Sequence, residues 1–154
     1  MLKGSKILII DDEVDICRGC QRIFEAKGCT IKMAFSGKEG LDRTGKEEFD
    51  IIITDLKMPD ISGIEVIKKI KQKKPDQPII MITGYATVDT AVEAMKLGVE
   101  EYISKPFKPD EIIDAVKNIV DKREKHLATR SEKSIQQRII DREHVLEVLN
   151  PHFA

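Results

Sequence analysis

Four short apolar runs punctuate the chain, and each ends on a reactive polar residue. Ile7-Leu8-Ile9-Ile10 stops at Asp11-Asp12, Ile51-Ile52-Ile53-Thr54 at Asp55, Ile79-Ile80-Met81-Ile82 at Thr83, and Tyr102-Ile103-Ser104 at Lys105-Pro106. Unbroken β-branched runs of this length suit parallel strands buried on both faces, not the alternation of a half-solvated sheet. Between the runs the apolar spacing changes to that of amphipathic helices. The pattern predicts strands at 6–11, 30–35, 49–54, 78–83 and 101–104, and helices at 14–27, 37–45, 63–73, 87–97 and from 109 onward. Five successive β-then-α units define an α/β fold with a doubly wound, five-stranded parallel sheet.

Local punctuation agrees with these boundaries. Gly28 closes the first helix, and Ser36-Gly37-Lys38-Glu39 reads as a capping box opening the second. Lys74-Pro75-Asp76-Gln77-Pro78 ends the third helix, while Pro109 with Asp110 and Glu111 starts the fifth. Gly40 lies inside the second helix, where it costs about 1 kcal/mol relative to Ala, so that helix is expected to be the weakest.

Beyond the fifth helix the character changes. Ile112, Val116, Ile119 and Val120 keep an apolar stripe, but from Asp121 to Ser134 the only sizeable apolar side chain is Leu127. Ile135, Ile139, Val145, Leu146 and Leu149 restore a stripe before Asn150-Pro151 stops it. No Gly or Pro falls between Asp110 and Asn150, so one helix of roughly 60 Å is geometrically allowed at 1.5 Å per residue. Ser134-Ile135-Gln136-Gln137 is also a capping box, and it favours a break followed by a second short helix. The expected organisation is a domain over 1–122 and a helical linker or dimerisation tail over 123–154.

Composition narrows the class. A chain of 154 residues is one ordinary domain with a small appendage, long enough to bury a real core. With 26 basic against 27 acidic residues, nothing global favours nucleic acid or an anionic membrane as partner. Only four apolar residues follow Met1-Leu2-Lys3-Gly4-Ser5-Lys6, too few for a signal-peptide core, and no run approaches membrane-spanning length; a cytoplasmic location is expected. Three cysteines argue against a disulfide framework. Cys17-Arg18-Gly19-Cys20 has CxxC spacing, but a zinc site lacks further ligands beyond Cys29, and no two histidines have ligand spacing. The motif also falls inside an amphipathic segment with Val14 and Phe24, so both cysteines read as small buried hydrophobes.

In open α/β sheets ligands bind outside the carboxyl ends of the strands, so Asp11, Asp12, Asp55, Thr83 and Lys105 converge on one site. Carboxylates with room for water suit Mg²⁺, which dehydrates reluctantly and takes few protein ligands. Lys105 supplies the counter-charge that three crowded carboxylates require. A carboxylate can also attack phosphorus to form an aspartyl phosphate, with the metal, the lysine and a Thr83 hydroxyl meeting the phosphoryl oxygens. Taken singly, each residue has a plainer use: Asp11 and Asp12 as helix caps, Asp55 as a turn opener, Thr83 as an ordinary strand end. Capping does not explain a lysine and a hydroxyl recurring at the same sheet edge.

Asp11-Asp12, Asp55 followed by Met58-Pro59 and Gly63, Thr83-Gly84, and Lys105-Pro106-Phe107 together resemble the response-regulator receiver domain of two-component signalling, over residues 6–122. The resemblance implies that Asp55 accepts a phosphoryl group from a sensor histidine kinase or phosphotransfer protein. It implies that Asp12 holds Mg²⁺ directly and Asp11 largely through water, with Asp55 and the Lys57 backbone carbonyl completing the ligands. Lys105 would pair with the phosphoryl group, Thr83 would move toward it, and Tyr102 would be the switch aromatic that turns inward. Lys105-Pro106 would be a cis peptide. In receivers the second residues after the aspartate and the threonine, here Lys57 and Tyr85, tune phosphoryl lifetime; a cation and a bulky ring there imply a long-lived phosphoform.

The Thr83-Gly84-Tyr85-Ala86 and Lys105-Pro106-Phe107 segments look most like receivers of enhancer-binding transcription activators, in which the tail would lead to an ATPase domain. A stand-alone phosphorelay intermediate is the alternative. A haloacid-dehalogenase-like phosphatase also uses an aspartate nucleophile with Mg²⁺, but it wants a second Asp two residues on, where this chain has Lys57. The basic residues of the tail, among them Lys122, Arg123, Lys125, Arg130 and Lys133, alternate with acids, so no direct nucleic-acid contact and no membrane contact is expected. His126, His144 and His152 are expected to face solvent, and Glu143-His144 resembles a kinase phosphoacceptor only superficially. The tail's stripe is expected to promote a homodimer.

Overall fold

The computed structural model describes residues 2–149. The chain divides after Ile119 into two compact units. The first contains β1 (Lys6–Ile10), α1 (Val14–Glu25), β2 (Thr30–Ala34), α2 (Gly37–Lys46), β3 (Ile51–Asp55), α3 (Gly63–Lys73), β4 (Ile79–Thr83), α4 (Val88–Lys96), β5 (Glu101–Ser104) and the start of α5 (Pro109–Leu149). All strands pair in parallel, in the order β2-β1-β3-β4-β5. Every side chain of β3 and β4 is buried, as expected for a sheet covered on both faces. On one face Leu8, Ile10, Ile52, Ile79 and Met81 pack with Ile64, Ile67 and Ile70 of α3 and Ala94 of α4. Residues of opposite parity, Ile7, Ile9, Ile51, Ile53, Ile80 and Ile82, project to the other face and are equally inaccessible. Cys17, Cys20 and Phe24 of α1 are also buried, and burial pushes both thiols up to about 12, where they are unreactive core residues.

The helix starts follow the sequence with instructive differences. Ser36 Oγ accepts from Glu39 N at 3.1 Å, but the Glu39 carboxylate reaches back to Phe35 N at 3.0 Å instead of to Ser36. Asp60, from the β3–α3 loop, accepts from Gly37 N at 3.1 Å and Lys38 N at 2.8 Å. The first turn of α2 is therefore held from outside itself. Gly40 is there for packing: a Cβ at this position would stand 2.5 Å from Ile10 Cδ1, so the helix gains close contact with β1 where propensity alone counts a loss.

The expected break near Ser134 is absent. α5 runs without interruption from Pro109 to Leu149. A new N-cap would require an extended residue and the loss of several i→i−4 bonds, followed by a second costly nucleation, whereas a cap returns only about 1 kcal/mol. With no Gly or Pro and many Lys, Arg, Glu and Gln residues, continuation wins. Thr129 turns its hydroxyl into the helix, donating to Lys125 O at 2.9 Å. Leu127, Ile135 and Ile139 are exposed, as is His126. The side chains of His144, Val145, Leu146 and Leu149, and Asn150, Pro151 and His152 altogether, lie outside the described residues.

Candidate functional site

Strand register brings the polar residues together. Ile10 pairs with Thr54, Asp55 with Ile82, and Thr83 with Ser104. The next residues along, Asp11 after β1 and Lys105 after β5, therefore emerge at one carboxyl edge, and the Lys105 side chain reaches Asp11 and Asp55 at the ends of β1 and β3, the neighbouring strands where the winding direction reverses. Asp11, Asp12 and Asp55 each offer an oxygen within 4.8 Å of the others. Asp11 is fully buried and Asp55 is 4% exposed, whereas Asp12 faces solvent. Lys105 Nζ lies 2.8 Å from Asp11 Oδ2, 3.1 Å from Glu13 Oε1 and 3.5 Å from Asp55 Oδ2.

Electrostatics follow from this crowding. Burial first, then the charge of Asp11, push the Asp55 carboxyl up to about 6, against Lys105 and the 2.8 Å bond from Leu56 N. Burial likewise raises Asp11, opposed by Lys105 and by Glu13 N, which donates to its Oδ1 at 2.9 Å. Burial works against the Lys105 ammonium, but its hydrogen bond and attraction to Asp11, with help from Glu13 and Asp55, outweigh that and raise its pKa. The donor set fits Mg²⁺: three hard oxygens on a cluster whose negative charge one lysine does not neutralise, and an exposed side left open to water.

The surrounding loops define the rest of the edge. Thr83 is fully buried, and its Oγ1 accepts from Tyr85 N at 2.9 Å. Tyr102 is half-buried against the core, and its hydroxyl pairs at 2.8 Å with Thr90 Oγ1, a member of the capping box that starts α4. Lys57 is exposed, with its Nζ 4.1 Å from the centre of the Tyr85 ring. Lys105-Pro106 is cis. The β3–α3 loop is closed by Gly63 N donating to Leu56 O at 2.7 Å, and a Cβ on Gly63 would sit 2.0 Å from Asp55 O. Only glycine permits that approach.

Three contributors escaped the sequence reading. Glu13 was one acid in a crowd, Asp60 one loop residue after Pro59, and Thr90 one of two threonines near a helix start. The Thr87-x-x-Thr90 spacing was the available signal for the last. Neither of the others had a local signal, because their partners lie 92 and 23 residues away.

A β2-β1-β3-β4-β5 parallel sheet carrying an acid trio, a buried threonine and a lysine at its carboxyl edge belongs to the CheY-like class of doubly wound domains. Residues 7–117 match the response regulator receiver domain family, and the chain belongs to it. The response regulator SaeR of Staphylococcus aureus is 33% identical over 122 residues, which cover 79% of this chain and 53% of that protein. The chain thus spans about half the length of the curated relatives it matches. A CheY-like receiver domain protein from Methanospirillum hungatei superposes with a TM-score of 0.77 at 32% identity, covering 80% of this chain and 99% of that one. The response regulator TrrA of Thermotoga maritima, solved in complex with Mg²⁺ and BeF, gives 0.69 at 33% identity over 75% of this chain and 98% of that one. Receivers of this family take phosphate from histidine kinases and act in two-component signalling. Among the described residues no helix is long and apolar enough to cross a membrane.

Proposed function

We propose that Asp55 is the phosphoacceptor of this receiver, and that its phosphorylation by a sensor histidine kinase or phosphotransfer protein switches the surface that controls an output domain or partner. One observation carries the reading: a nearly buried carboxylate stands 3.5 Å from a lysine inside an acid trio, at the switch point of the sheet. An Asp55 oxygen attacks phosphorus, the P–N bond of the phosphohistidine breaks, and the bonding pair returns to the imidazole, which takes up a proton. Bound Mg²⁺, held by Asp12 directly, Asp11 largely through water, Asp55 and the Lys57 carbonyl, would neutralise charge on the phosphoryl oxygens. Lys105 pairs with one of those oxygens. Thr83 donates its hydroxyl to another, giving up the bond from Tyr85 N, and Tyr102 releases Thr90 as it turns inward. The Mg²⁺–BeF complex of TrrA supports the metal and anion assignments by likeness.

Beyond phosphoryl receipt and slow autodephosphorylation the chain turns over no substrate, and residues 1–122 form a cytoplasmic receiver domain. The Lys57–Tyr85 contact over the site mouth supports slow hydrolysis of the phosphoform, by obstructing an attacking water. The tail from 123 supports self-association: Leu127, Ile135, Ile139 and Ile140 are each more than half exposed on one long helix, and a second copy would cover them. Output through a longer regulator resembling the enhancer-binding activators is the further expectation. The test is beryllofluoride with Mg²⁺, followed by NMR: Thr83 and Tyr102 resonances should move in the wild type and stay in place in Asp55→Asn. Equal movement in both proteins contradicts the assignment.

A further inference from the structure

The phosphoacceptor chemistry leaves one carboxylate beside Lys105 unused. Glu13 is the N-cap of α1, where a side chain ordinarily accepts from the first-turn amides, yet it makes no cap bond. Its Oε1 instead accepts from Lys105 Nζ at 3.1 Å, while Asp11 Oδ2 accepts at 2.8 Å. Two of the three ammonium donors are thereby engaged on the α1 side, and the contact to Asp55 is the longest of the three at 3.5 Å. The two engaged carboxylates differ: Asp11 is fully buried, whereas the side chain of Glu13 is 60% exposed. A solvent-screened contact of that kind is weak enough to be given up when a stronger anion arrives.

We propose that Glu13 is a positioning residue that holds Lys105 in a resting place and competes with the incoming phosphoryl group for it. The inference rests on the reading of Asp55 as phosphoacceptor. In the resting site the lysine is drawn toward α1; with a phosphoryl group on Asp55 it leaves Glu13, whose carboxylate turns to water at little cost. Glu13 thus sets how readily the site fills, without touching the phosphoryl group itself.

Beryllofluoride is titrated at saturating Mg²⁺ into the full chain, into Glu13→Gln, into Lys105→Ala, and into the double variant. Glu13→Gln should tighten binding by about two- to fivefold, the range of an exposed ion pair. The same change in the Lys105→Ala background should have no effect. An unchanged or weakened affinity in the single variant overturns the proposal. So does a gain that persists without the lysine, since Glu13 would then be repelling the anion directly. A second readout needs neither metal nor anion: the Lys105 side-chain ¹⁵N resonance of the metal-free protein should move on Glu13→Gln and not on Glu39→Gln, and an unmoved resonance also overturns it. Failure of the wild type to bind beryllofluoride contradicts the phosphoacceptor reading itself, and the competition falls with it; wild-type binding with an inert Glu13→Gln removes only the competition.

Discussion

Replacing Asp55 by Asn should stabilise the metal-free protein, by an amount that depends on pH. Burial and then Asp11 lift the Asp55 carboxyl from the ordinary 3.8 to about 6 in the folded chain. The unfolded chain therefore ionises this group first as pH rises. Stability contributed by the protonated carboxyl is complete below about pH 4 and lost as pH passes through about 6. The difference between 3.8 and about 6 corresponds to about 3 kcal/mol of destabilisation at pH 8. Asn removes the charge and keeps an acceptor for Leu56 N, while Lys105 retains Asp11 and Glu13. Thermal melts in a chelator should show the variant on the order of 10 °C above wild type at pH 8, and no different near pH 4. Added Mg²⁺ should narrow the gap at pH 8 by stabilising the wild type. A gap that is constant across pH, or a variant less stable than wild type at pH 8, would refute the crowded-carboxylate account.

Other substitutions test other parts of the site. Asp12→Ala should weaken Mg²⁺ affinity by tenfold or more, and Thr83→Ala by less than about twofold, because only the aspartate offers the metal a charged oxygen; calorimetric titration separates them. Gly63→Ala should cost about 3 kcal/mol or more in denaturant titrations, since the new Cβ meets a backbone carbonyl that cannot rotate away. Sedimentation of the full chain against one ending at Asp121 should show association at micromolar concentration only with the tail, and monomers in both cases remove the dimer proposal.

The sheet was legible because its three central strands, β1, β3 and β4, are apolar on both faces, and because Asp11, Asp55, Thr83 and Lys105 stand at the ends of apolar runs. Parallel register alone carries strand ends to one edge, so no long-range information was needed to gather them. The course of α5 was not legible: a capping box at Ser134 is a local signal, and it lost to uninterrupted helix propensity on either side. The packing role of Gly40 was not legible either, since its partner Ile10 lies on a strand and propensity scales see only the helix. Glu13 and Asp60 needed coordinates, because a carboxylate's partner across 92 or 23 residues leaves no spacing rule in the sequence.

Whether Asp55 is the phosphoacceptor is tested most directly by locating the modified residue. The protein is incubated with acetyl phosphate and Mg²⁺, the acyl phosphate is trapped by borohydride reduction, and peptides are mapped by mass spectrometry. Reduction should convert Asp55, and no other carboxylate, to homoserine; labelling should vanish in Asp55→Asn and without Mg²⁺. Modification of Asp11 or Asp12 in place of Asp55, or equal labelling of the Asn variant, would contradict it.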